Sequence, residues 1–225
     1  MQENIYDEEW KARETICEIG RRMYQRGFVA ANDGNISIRI GDNQLVCTPS
    51  GVSKGFMREE DLVITDMCGN ILSDGVGQPS SELKMHLKIY EKDQYARAVV
   101  HAHPKTATAF AVAGISLEEP ILVESVVVLG PVPLAPYATA GTEEVAAAVE
   151  PYCEEYHGLL LANHGALSWA ETPMQAWYYM EEIEHTAEIL LRSKYLLGKA
   201  NVLDEKQVDK LRVRYKSMDR KGKNM

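Results

Sequence analysis

The stretch Asn35-Ile36-Ser37-Ile38-Arg39-Ile40 alternates polar and apolar residues without a break. Successive side chains of a β-strand point to opposite faces, so the three isoleucines share one side and the spacing predicts a half-buried strand. Gly41-Asp42-Asn43 is turn chemistry. Residues 44–48 read as the partner strand and residues 61–65 as another, which makes this region hairpin-like. Upstream, residues 7–26 carry Ala12, Ile16, Ile19 and Met23 as one helical stripe, with Gly27 as a natural stop.

Downstream of a Gly/Pro-rich stretch at residues 74–79, the spacing predicts a helix over 81–92, through Leu83, Leu87 and Tyr90. Residues 97–103 read as a strand, and Pro104 suits the first position of a following helix. Residues 126–129 and 156–162 read as short strands. A long helix is expected over 173–197: Thr172 and Gln175 match a capping box, and Ala176, Met180, Ile183, Ala187 and Leu190 form one apolar stripe. Early hairpins followed by mixed strands and helices predict a single-domain, three-layer α/β/α sandwich over 1–225. Its sheet should be largely antiparallel, its core about 7–200, and its basic tail from Lys216 mobile.

A chain of 225 residues with 45% hydrophobic and 25% charged residues fits a globular protein. Its net charge of −9 is the reverse of the balance expected for a nucleic-acid binder. Any phosphate it handles must therefore be held locally, by backbone amides and a few well-placed donors. Four scattered cysteines without a CxxC pair read as reduced thiols. No apolar run is long enough to span a bilayer, and the acidic N-terminal stretch does not resemble a secretion signal. The expectation is a cytoplasmic protein without nucleic-acid or membrane partners.

His101-Ala102-His103 closes a predicted strand, so both imidazoles project from the same side and can converge on one ion. Asn163-His164-Gly165 follows the apolar run Leu159-Leu160-Leu161, and Gly165 permits close approach beside a third imidazole. Zinc sites that do chemistry commonly use three protein ligands and keep one position open. Glu82 offers a carboxylate as a base, although its place at a helix start also fits a simple first-turn acid. His86, His157 and His185 lack such a setting and read as surface or core residues.

Taken together, Asn32-Asp-Gly-Asn-Ile-Ser37, Thr48-Pro-Ser-Gly51, Pro79-Ser-Ser-Glu82, Val100-His-Ala-His103, Ala135-Pro-Tyr-Ala-Thr139 and Asn163-His-Gly165 resemble the class II aldolase/adducin-type family. That family includes fuculose-1-phosphate and rhamnulose-1-phosphate aldolases and ribulose-5-phosphate 4-epimerase. The resemblance implies zinc held by Glu82, His101, His103 and His164, with Mn²⁺ or Co²⁺ as other possible metals. Glu82 is then expected to leave the metal and act as acid/base, with a carboxyl raised toward neutrality by burial. Gly34 with Asn35, Ser50 with Gly51, and Ser80 with Ser81 would form a phosphate pocket. The implied reaction cleaves a 1-phosphoketose between C3 and C4 into dihydroxyacetone phosphate and an aldehyde.

Fuculose-phosphate aldolases carry a tyrosine that reaches a neighbouring subunit's site, where this chain has Glu124. A carboxylic acid with a raised pKa could take over that role. Family members are usually fourfold-symmetric tetramers with sites between subunits, and the stretch Val126-Val-Val-Leu129 would suit an interface. Sister activities of the same family are the dehydratases, 3-oxo-acid-phosphate decarboxylases and the 4-epimerase, which normally has Asp where this chain has Glu82. A non-catalytic adducin-like module is the alternative of another class, and the complete ligand set argues against it.

Overall fold

A computed structural model describes residues 2–73 and 77–215, with the side chains of residues 2–5 left aside. The basic tail from Lys216 lies outside the described residues. Among the described residues seven strands form one mixed sheet: β1 (Asn35–Ile40), β2 (Gln44–Cys47), β3 (Val63–Asp66), β4 (Ala98–Ala102), β5 (Leu134–Ala135), β6 (Gly158–Leu161) and β7 (Gly165–Ala170). Their spatial order is β3-β2-β1-β4-β7-β6-β5. Every neighbouring pair is antiparallel except β5 with β6.

The helices cover both faces. Ile36, Ile38 and Ile40 pack with Val100 and Ala102 of β4 against α1 (Gln2–Gln25), α3 (Lys105–Ala113) and α5 (Pro173–Leu190). The α1 stripe Ala12, Ile16, Ile19 and Met23 is buried in this layer, as is the α5 stripe. On the opposite face Leu45, Val99, Leu159, Leu167 and Trp169 pack against α2 (Leu83–Lys92) and α4 (Glu143–Val149). The result is the expected α/β/α sandwich. A last helix, α6 (Glu205–Tyr215), packs on the segment after Glu124. No helix among the described residues is long and apolar enough to cross a membrane. Cys17, Cys47 and Cys153 are buried free thiols and Cys68 is exposed.

Two expectations need correction. β1 is not half-buried: its polar residues Asn35 and Ser37 are as inaccessible as its isoleucines, because α2 lies over that face. Ser37 Oγ meets His86 Nδ1 at 2.8 Å and Tyr90 Oη at 2.9 Å. The stretch at 126–129, expected as a strand, is a π-helical turn, Ser125–Leu129. Ser125 and Leu129, four residues apart, are its buried positions, which is helical spacing, and the turn packs on α5 and α6 rather than on a sheet edge. Smaller differences lie at element ends. Pro104 precedes the first helical residue of α3, and α5 passes at Leu191 into a second π-helical turn that ends at Leu196.

Candidate metal centre and anion pocket

His101 sits in β4 directly opposite Asn35 of β1 and Leu167 of β7. Cross-strand partners share a face, so Asn35 and His101 both look toward the start of α2, where Glu82 stands. His103 lies one residue beyond β4, its backbone amide fixed by the Phe28 carbonyl at 2.8 Å. His164 occupies the tight turn from β6 to β7. Asn163 there is left-handed (φ 58°), and the His164 amide bonds the Leu161 carbonyl at 3.0 Å. Gly165 is required at this turn. A Cβ would stand 2.5 Å from His103 Cδ2 and 2.6 Å from the Ala102 carbonyl oxygen, so only glycine lets β7 start this close to the end of β4.

The three imidazoles converge. Their ring centroids lie 4.7–5.1 Å apart, and one nitrogen from each lies within 4.8 Å of the others. His103 Nε2 is 3.1 Å from His101 Nε2. The rings are oriented from behind: His101 Nδ1 faces the Ala166 carbonyl at 2.9 Å, and His103 Nδ1 lies 3.4 Å from Asp33 Oδ2. A carbonyl oxygen only accepts, so Nδ1 of His101 carries the proton and Nε2 presents its lone pair.

Glu82 closes the cluster. Oε2 lies 3.3 Å from His101 Nε2 and accepts from Asn35 Nδ2 at 2.8 Å. Oε1 is buried, 3.1 Å from His164 Nε2, and otherwise unpartnered. The residue stands just before α2, and its carboxylate makes no capping bond to the helix amides. The first-turn-acid reading is thereby set aside.

The electrostatics differ from expectation at one point. Burial does push the Glu82 carboxyl upward. The His101 and His164 imidazoles and the Asn35 amide outweigh it, and the carboxyl is held below the usual carboxylate range instead of near neutrality. Burial pushes His101 down to about 3, and it also lowers His103, with His164 adding to the effect. Both are therefore neutral at ordinary pH, the state in which imidazole ligates metal. Neutral Nε2 atoms crowded at hydrogen-bond distance without protons to share, beside a buried carboxylate oxygen, fit a divalent cation better than they fit one another. A nitrogen-rich set of this kind suits the first-row ions that imidazole binds, zinc among them.

Beside the cluster opens a cavity of about 270 Å³. Its walls include every expected anion-site residue: Gly34, Asn35, Ser50, Gly51, Ser80 and Ser81. Gly34 is left-handed (φ 75°), and a Cβ there would stand 2.9 Å from the His101 carbonyl oxygen. The loops carrying Ser50 and Ser80 are tied together by Ser50 N to Gln78 O at 2.8 Å and Ser80 N to Thr48 O at 3.3 Å. Those amides are used internally, so the two serines bring hydroxyls, not N–H groups, to a ligand. Asn35 likewise spends its side-chain amide on Glu82.

Glu124 is not brought into this arrangement. It is exposed, does not line the cavity, and its charge is felt by Glu182 of α5. Conversely, Asp33 and Lys54 line the cavity although the sequence reading did not single them out. Asp33 lies within a motif already noted, between Asn32 and Gly34. Lys54 gave no signal, since a lone lysine in a loop reads as solvated.

The chain matches the Class II Aldolase and Adducin N-terminal domain over residues 14–191. It is 34% identical over 190 residues to a 3-oxo-tetronate 4-phosphate decarboxylase of Cupriavidus necator, covering 83% of this chain and 86% of that protein. It is 35% identical over 203 residues to a 5-deoxy-D-ribulose 1-phosphate aldolase of Bacillus thuringiensis, covering 89% and 93%. Among solved structures, an L-fuculose 1-phosphate aldolase superposes with a TM-score of 0.83 at 30% identity, covering 92% of this chain and 96% of that one. The profile match spans the second half of α1, all seven strands and the three histidines, and the chain belongs to the class II aldolase and adducin N-terminal domain family.

Proposed function

We propose that this protein is a zinc-dependent lyase that cleaves a 1-phosphoketose into dihydroxyacetone phosphate and an aldehyde. The observation that carries this reading is Glu82: a buried carboxylate clamped between the His101 and His164 imidazoles and Asn35, beside a cavity lined by serines and glycines. The names of the Bacillus aldolase and of the superposing L-fuculose 1-phosphate aldolase support the same class of substrate.

His101, His103 and His164 would hold the cation, with Glu82 as fourth ligand before substrate arrives. Lewis-acid stabilisation of the charge left when a carbon–carbon bond breaks is the chemistry a bound cation supplies. As the C3–C4 bond breaks, its electron pair stays on C3 and the C4 hydroxyl gives up its proton as the aldehyde forms. Glu82 delivers the proton that C3 gains. For this it must leave His101, His164 and Asn35, since those contacts keep it ionised; freed of them, burial raises its carboxyl toward the working range and it takes up from solvent the proton that it passes to C3. Gly34, Ser50, Gly51, Ser80 and Ser81 would hold the phosphate. Glu124 acts, on this reading, from a neighbouring subunit on the C4 hydroxyl proton, within a cytoplasmic homotetramer in which residues of about 7–200 form one catalytic domain.

A second reading rests on the Cupriavidus relative, named a decarboxylase at nearly the same identity as the aldolase. Loss of CO₂ from a 3-oxo acid phosphate also breaks a bond beside a carbonyl and leaves its electron pair on carbon. The metal-loaded protein should be incubated with a panel of 1-phosphoketoses and, separately, with 3-oxo-tetronate 4-phosphates. Dihydroxyacetone phosphate release is expected from the first panel. CO₂ release from the second alone would move the assignment to the sister activity.

A further inference from the structure

The cavity beside the histidines carries an unbalanced charge. Asp33 and Glu82 line it, and a phosphate ester adds further negative charge, yet one residue in its described lining is cationic: Lys54. Lys54 is 2% exposed, an uncommon place for an ammonium group. Its Nζ donates to the Asn32 carbonyl at 2.8 Å and the Val52 carbonyl at 2.6 Å. An ammonium has three N–H donors, so one remains.

The two carbonyls come from separate loops, the one leading into Gly34 and Asn35 and the one following Ser50 and Gly51. Lys54 therefore stands where the two candidate anion-binding loops meet. Neutral carbonyls do not neutralise a buried charge, and burial draws the ammonium down to about 8, with Asp33 and Glu82 pulling back. Among the described residues its Nζ bonds carbonyls and pairs with no carboxylate directly, and a dianion in the cavity would supply that contact.

We propose that Lys54 is the phosphate-recognising cation of this site, its third N–H reserved for an oxygen of the substrate's phosphate group while the other two hold the flanking loops in place. The inference rests on the reading that the substrate is phosphorylated. It adds the charge that the serine hydroxyls and the glycine turns do not provide. Non-phosphorylated ketoses should be discriminated against at this residue.

The test uses the metal-loaded full chain and inorganic phosphate as probe. Lys54→Met should weaken phosphate binding, measured by calorimetry, at least about tenfold, the worth of one hydrogen bond to a charged group. Lys54→Arg should keep most of the affinity. Because Lys54→Met also removes two loop ties, the wild-type protein supplies a second measurement. The Lys54 ¹⁵Nζ resonance, assigned by its disappearance in Lys54→Arg, should shift on phosphate addition. An unmoved resonance, or equal phosphate affinity in wild type and Lys54→Met, would reduce Lys54 to a loop clamp and overturn the proposal. Phosphate binding that depends on Lys54 without cleavage of any phosphoketose would sink the aldolase reading and leave this one standing.

Discussion

Asn35 Nδ2 donates to Glu82 Oε2 at 2.8 Å, across from the same carboxylate's contact with His101. The bond fixes the rotamer of Glu82 from a strand directly paired with the histidine strand, so the proposed base and a candidate metal ligand are positioned by neighbouring strands of one sheet. Asn35→Ala removes the donor while leaving all four candidate ligands. Turnover should fall by roughly 10–100-fold, the usual cost of losing such an outer partner, with metal stoichiometry by elemental analysis unchanged. Unaltered turnover would show that Glu82 does not need this anchor.

Glu82→Gln keeps the shape and the Asn35 contact but removes the proton-carrying oxygen. Metal should stay largely bound through the three histidines, and turnover should drop by about 100-fold or more. Retained turnover would refute the acid/base assignment. Loss of the metal as well would recast Glu82 as chiefly a ligand.

The same strand shows how far the sequence could be read. The isoleucine face of β1 was legible because period-two alternation marks a buried side. The Asn35/Ser37 face was misread as solvent-facing, since polar residues look alike whether they meet water or a helix. Their partners Glu82, His86 and Tyr90 are one helical stripe at i, i+4 and i+8, some 47–53 residues away in the chain, and no local pattern announces that match. The histidine cluster was legible because strand alternation and a glycine beside His164 are local geometry. The turn at Ser125–Leu129 was not, because three adjacent valines favour a strand and only packing against α5 and α6 decides otherwise. Lys54 was invisible for the same reason: its burial is a property of two loops and not of its neighbours in sequence.

His86 gives a pH prediction. It is fully enclosed against Ser37 and Tyr90, and burial pushes it from 6.5 down to about 4, with Glu82 pulling slightly back. Between those values the unfolded chain binds a proton that the folded chain refuses, so this residue's effect is nil above about pH 6.5. Stability is then lost as pH falls through the window and levels off below about 4. The full span is worth about 3 kcal/mol at most. Urea unfolding at pH 7 and pH 5 should show a smaller acid loss for His86→Leu than for the wild type. Parallel losses would mean His86 is not the group taking up the proton.

Gly165 tests whether the centre depends on how closely β7 passes β4. A methyl at this position meets His103 Cδ2 at 2.5 Å and the Ala102 carbonyl oxygen at 2.6 Å, one of which belongs to rigid strand backbone. Gly165→Ala must therefore displace His103 or His164. Metal affinity should fall at least about tenfold and stability by about 1–3 kcal/mol, read by metal-competition titration and denaturant unfolding. Normal metal affinity in a folded variant would contradict the convergence of these rings on one ion.

Glu124 is exposed and outside its own chain's cavity, so its proposed role demands that it serve another subunit. Glu82→Gln and Glu124→Gln should each be inactive alone. If assemblies are dissociated, mixed in equal amounts and reassembled, some sites combine an intact Glu82 from one chain with an intact Glu124 from its neighbour. Random mixing predicts recovery of about a quarter of wild-type activity, because each condition is met at half of the sites. A Glu124→Gln variant that is fully active by itself would remove the residue from the chemistry. Two inactive parents that regain nothing on mixing would place its effect within a single subunit.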